Sequence, residues 1–211
     1  MRITEPMTMI TDYLMGALAL VLAVRLLRDG VAPGQTSIRL WAVALLMTAT
    51  ASFVGGSYHG FIDLLPAPTA AVMWKLTLAA TGIGSACLLA AAVYAGTAGT
   101  LQRVLVLLVV GKLAAYLWWI ASRNDFIFVI YDYGSALVLV LLLAWFARPT
   151  GLTAASGWIT AGVVVSVLAA LVQARRIAPH PQFNHNDLFH VIQMGALYLL
   201  YRGGLLMRDF H

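Results

Sequence analysis

The sequence predicts an all-α integral membrane bundle of seven transmembrane helices, forming one domain over residues 1–211, and three observations carry that prediction. Only 10% of the residues are charged, against about 25% in soluble domains, too few to cover a water-facing surface. Sixty-two per cent are hydrophobic and the mean hydropathy is +0.88. Seven apolar stretches recur along the chain, each near the ~20 residues that span a bilayer as a helix. Backbone polar groups in lipid need partners within their own segment, so these runs read as helices. They are too long and too uniformly apolar for barrel strands.

The first stretch runs from Met9 to Leu27 and ends in Arg28-Asp29-Gly30. The second, Leu40 to Phe61, is stopped by Pro66 and Pro68, and the third covers Ala70 to Ala95. The fourth spans Leu101 to Ala121, and the fifth, Phe126 to Phe146, is closed by Arg148-Pro149. The sixth runs from Leu152 to Leu171 before Arg175-Arg176, and the seventh from Asp187 to Leu206. Asp12 interrupts the first stretch early and no small-residue cleavage site follows, so this segment reads as retained rather than as a signal peptide.

The net charge of +5 comes from Lys and Arg scattered at helix ends. That pattern excludes a nucleic-acid partner and leaves membrane lipid as solvent and possible substrate. Nothing in the sequence fixes an oligomeric state. The single cysteine, Cys87, excludes a disulfide framework and a cysteine metal site within one chain. Alternating spans place Arg2, Lys75, Arg123, Arg175 and Arg176 on one side and seven arginines on the other, which favours N-out, C-in.

Ionisable groups inside a membrane are costly and point to function. Here they gather in one leaflet. His59 and Asp63 end helix 2, Lys75 lies early in helix 3, Asp132 lies early in helix 5, and His185, Asn186, Asp187, His190 and Gln193 lead into helix 7. In the helix 7 segment, Asn184 or Asn186 can cap the helix and Asp187 suits its first turn. Asp187 and Asn186 lie three and four residues before His190, and Gln193 continues that face. The plainer reading is a capping carboxylate and a packing histidine.

In Gly55-Gly56-Ser57-Tyr58-His59-Gly60-Phe61-Ile62-Asp63, His59 and Asp63 share a helix face, and Ser52 lies seven residues before His59 on that face. The glycines allow close helix contact, and a packing histidine is again the plainer reading. Two or three histidines with a carboxylate in a dry cup suit zinc, whose bound water becomes a nucleophile near neutral pH. Asp63, Asp187 or Asp132 then orients a ligand or takes the water's proton, and Ser57 or Ser52 donates to the oxyanion. Lys112 and Asp132 lie at similar depth and are expected to pair, as a structural couple or a head-group site.

Seven helices, a histidine ending helix 2 and a histidine motif opening helix 7 resemble the CREST superfamily of alkaline ceramidases and progestin and adipoQ receptors. The resemblance implies an intramembrane zinc held by three histidines and hydrolysis of a lipid amide or ester. His59 matches the helix 2 ligand, and His190 matches the second histidine of the helix 7 His-x-x-x-His motif. Asn186 occupies the first position of that motif, which leaves His185 or Asp187 as third ligand, with Asn186 and Gln193 supporting them. Gly55 stands where the family has serine, and Asp63 is a candidate for the family's helix 3 aspartate. The sequence also looks like an uncharacterised bacterial membrane-protein group, which implies the plasma membrane.

The expected function is therefore a zinc-dependent lipid amidase or esterase with its site between helices 2 and 7, lying side by side. The alternative is a non-enzymatic sensor, receptor or small-solute transporter using the same cup, with Lys112 and Asp132 central. A third reading is haem ligated by His59 and His190.

Overall fold

The computed structural model describes residues 3–29, 35–147 and 150–211. The expected boundary residues Arg2, Gly30, Arg148 and Pro149 lie outside the described residues. Those described form seven α-helices: α1 (Pro6–Asp29), α2 (Thr36–Phe61), α3 (Ala67–Gly96), α4 (Gly99–Ala121), α5 (Ile127–Phe146), α6 (Ser156–Ala174) and α7 (His185–Leu206). A short 3-10 turn, Ile62–Leu64, follows α2, and no strand occurs among the described residues. The first six helices are long and apolar enough to cross a membrane. This is the make-up of an all-α integral membrane bundle.

Several helices begin earlier than hydropathy suggests, for local reasons. Pro6 opens α1 and Pro68 lies in the first turn of α3. The first turn has no use for the missing N–H, so Pro68 starts a helix here rather than stopping one. The start of α2 falls at Thr36 because a distant carboxylate caps it. Asp209 accepts hydrogen bonds from the Thr36 and Ser37 amides at 2.7 and 2.8 Å, and its own N–H donates to Gln35 Oε1 at 2.7 Å. α7 starts at His185 with a full capping box. Asn184 accepts from the Asn186 and Asp187 amides while Asp187 Oδ2 accepts from the Asn184 N–H at 2.7 Å.

Helices α1, α2, α3, α5, α6 and α7 form a closed ring, and α4 packs on the outside of α3. Much of α4 faces outward, with Leu107, Leu108 and Trp118 exposed. Apolar exposure of this kind suits lipid contact. Glycines set the closest approaches. A Cβ at Gly56 would lie 2.8 Å from Asp12 Cβ, and one at Gly162 would lie 2.7 Å from Leu200 Cγ, so α1–α2 and α6–α7 pack backbone to side chain. The dry core fills one half of the bundle, where Leu26, Ile38, Trp41, Ile159 and Leu200 are fully buried. The other half holds the polar residues.

One expectation needs correction. α2 and α7 do not lie side by side, because α1 packs between them and contacts both extensively. The first helix therefore contributes to the site that was expected between helices 2 and 7.

Candidate functional site

A cavity of about 380 Å³ lies within the ring, lined by side chains from all six ring helices. Its lining is mainly apolar, with Asp12, Ser52, His59, His190, Gln193, Asn186 and Gln173 among its polar members. Val138 of α5 and Val167 of α6 both line it and are about half exposed. Gly134, on the same wall, has no atom within 4 Å of where a Cβ would sit. The wall between α5 and α6 is therefore loosely covered.

His190 is buried and fully engaged. Its Nδ1 lies 3.0 Å from Thr11 Oγ1 and its Nε2 lies 3.3 Å from Asp12 Oδ1. The Thr11 hydroxyl also reaches the Thr8 carbonyl at 3.1 Å, and it has one proton to give. If that proton goes to Thr8, the imidazole donates through Nδ1, and one proton is shared between Nε2 and Asp12. If it goes to Nδ1, Nε2–H donates to the Asp12 carboxylate. Both nitrogens are occupied in either arrangement.

His59 is arranged differently. Its Nδ1 lies 3.0 Å from Glu5 Oε2, and the backbone of the same segment is pinned by Glu5 N–H donating to the His59 carbonyl at 3.2 Å. Trp74 meets the ring edge-on at 6.2 Å between centroids. Among the described residues no hydrogen bond reaches His59 Nε2. An imidazole held through Nδ1 by a carboxylate, with Nε2 free, is in the tautomer that can accept a proton.

The remaining expected residues separate into two groups. Ser52, Asn186 and Gln193 line the cavity with His59 and His190. Ser52 is buried, and Gln193 Nε2 donates to Ser166 at 3.3 Å. Ser57 does not line the cavity. It bonds to the Phe53 carbonyl at 2.8 Å and the Tyr13 hydroxyl at 2.9 Å, because regular helix turns it toward α1. Asp63 accepts from the Thr4 hydroxyl at 3.1 Å at the exposed end of α2, where it anchors the N-terminal segment. Asp187 is fully buried behind the cavity and takes the Thr8 hydroxyl at 2.8 Å. His185 is half-buried at the start of α7 and outside the lining.

Lys112 and Asp132 meet at 2.5 Å, and Lys112 also donates to Ser85 Oγ at 3.2 Å. Neither lines the cavity, so the pair bridges α4 and α5 against α3 rather than contributing to the site. Lys75, from the same polar half, donates to the Arg123 carbonyl at 2.7 Å and to that of Ile120, closing the end of α4.

The donor set does not fit the expected three-histidine zinc. His59 and His190 turn nitrogens to Glu5, Asp12 and Thr11, and His185 is elsewhere. Among the described residues no group of three or more His, Cys, Asp or Glu is arranged to hold a metal ion. The occupied nitrogens of His190 likewise leave no free donor for an axial haem bond.

Glu5, Thr8, Thr11 and Asp12 are the site residues that sequence reasoning missed. Their signal was present: Asp12 is a carboxylate inside an apolar run, and Thr8 precedes it by one helical turn. No curated protein and no solved structure matches the chain. A family model described as a family of unknown function, DUF6962, matches residues 7–209, nearly the whole ring and its outer helix, and the chain belongs to that family.

Proposed function

We propose that the chain is an intramembrane hydrolase of a lipid ester or amide, with His59 as general base and Glu5 as the group that orients it. The observation that carries this reading is an imidazole with one nitrogen fixed by a carboxylate and the other free, lining a mainly apolar cavity within a membrane bundle. The substrate chain enters between α5 and α6 and places its carbonyl near His59. A water oxygen attacks the carbonyl carbon while His59 Nε2 takes the water's proton. Glu5 stays ionised and stabilises the imidazolium. Ser52, buried in the lining two turns before His59, donates to the developing oxyanion. Collapse breaks the C–O or C–N bond, and the proton on His59 passes to the leaving alcohol or amine. The paired His190 and Asp12 fix the opposite wall.

In this reading α7 crosses as a seventh span. Its 22 residues cover about 33 Å at 1.5 Å per residue, and its polar first turns face α1 and α6 rather than lipid. The arginine distribution then orients the chain N-out, C-in, with the reaction in the outer leaflet of a plasma membrane.

The test is release of fatty acid from long-chain esters and N-acyl amines by protein in nanodiscs, followed by mass spectrometry. His59→Ala is expected to reduce release by about 10²–10⁴-fold while lipid still binds. Lipid binding without release above the His59→Ala background would refute the hydrolase and leave a lipid sensor or receptor.

A further inference from the structure

The charges around the cavity specify its ligand. Among the described residues the lining carries one carboxylate, Asp12, two imidazoles, and no lysine or arginine. Glu5 and Asp187 stand directly behind, one on His59 and one beside the Thr8 hydroxyl. Two lysines of the same half are committed elsewhere, Lys75 to the end of α4 and Lys112 to Asp132, and Arg123 lies over the Trp119 ring. Trp74, Phe126, Tyr133 and Phe189 also line the cavity. An independent observation points the same way: Gln173, in the lining, has its Oε1 buried without a hydrogen-bond partner while its Nε2 donates to Asn186 at 2.7 Å. The site therefore has an unpartnered amide oxygen in its wall, carboxylates with no lysine or arginine beside them among the described residues, and aromatic side chains. That is the chemistry that recognises ammonium.

Resting on the reading of this cavity as a lipid site, we propose that it selects an amphiphile with an ammonium head and rejects phosphate and carboxylate heads. An anionic head would be buried against Asp12 with nothing to compensate it. A hydroxyl head can donate one hydrogen bond to a carboxylate but brings no charge for the carboxylates or rings.

The test uses four dodecyl probes, with primary ammonium, hydroxyl, carboxylate and phosphate heads, titrated calorimetrically into the full chain in nanodiscs of zwitterionic lipid. The ammonium probe is expected to bind about tenfold more tightly than the alcohol, the scale of one desolvated cation–π contact or charge pair, with carboxylate and phosphate weakest. Asp12→Asn should bring the ammonium affinity down to that of the alcohol measured on the same variant. If that variant does not fold, Trp74→Leu should lower the same ratio. Carboxylate or phosphate binding as tight as ammonium overturns the proposal. So does a ratio unchanged in the folded variants, or no binding of any probe. Ammonium preference in a chain that releases no fatty acid leaves this proposal standing and removes the hydrolase. Cleavage of phosphate-headed lipids does the reverse.

Discussion

Asp187→Ala separates a joint between helices from a catalytic carboxylate. Asp187 is fully buried, and its two oxygens accept from the Thr8 hydroxyl at 2.8 Å and the Asn184 N–H at 2.7 Å. Alanine removes both acceptors. A buried donor left without a partner costs about 1–3 kcal/mol. The Thr8 hydroxyl is buried and stands at the upper end, whereas half-buried Asn184 stands at the lower. Together they give about 4 kcal/mol, roughly a 10³-fold change in the folding equilibrium. Asp187→Asn keeps the shape and one acceptor oxygen, so it should lose about half as much. Equilibrium unfolding in mixed detergent micelles, followed by tryptophan fluorescence, measures both. Asp187→Asn should also retain lipid hydrolysis, because Asp187 does not line the cavity. An alanine variant within ~0.5 kcal/mol of the parent, the scale of a neutral surface change, would refute the reasoning. An asparagine variant as damaged as alanine would do so too.

Three further outcomes follow from the geometry. Asp209→Ala removes the cap of α2 and should lower stability by about 1–2 kcal/mol, read in the same unfolding assay. Gly134→Leu has free space for its side chain and should leave the melting temperature unchanged, yet weaken lipid binding by filling the proposed entry between α5 and α6; unchanged binding would move that entry elsewhere. Lys112→Ala strands a buried Asp132 and should cost about 3–5 kcal/mol, whereas Lys112→Met with Asp132→Leu should cost far less.

Hydropathy made the helices legible because lipid imposes one rule on every span. The runs in α1 to α6 needed no tertiary information, and the polarity of one leaflet followed from the alternation of spans. Helix starts were less legible. α2 begins where Asp209 caps it, and no local pattern at Thr36 announces a partner 173 positions away. His59 and His190 were identified as cavity residues from their place in otherwise apolar helices. Their partners were not, because the order of helices around a ring is not written in hydropathy. Placing α1 between α2 and α7 turned Glu5 and Asp12 from incidental charges into the groups that hold both imidazoles. Asp63 shared a face with His59 on paper, but α2 gives way to a 3-10 turn at Ile62, so the face ends before Asp63.

Insertion into the bilayer acquires a fixed order from the ring. α1 and α2 can pair early, since Gly56 and Gly60 already match Asp12 and Met9. The seam between α1 and α7 joins helices far apart in chain order, and Asp209 lies beyond α7. Until α7 and the segment after it are in place, Asp12 lacks its histidine and α2 lacks its cap.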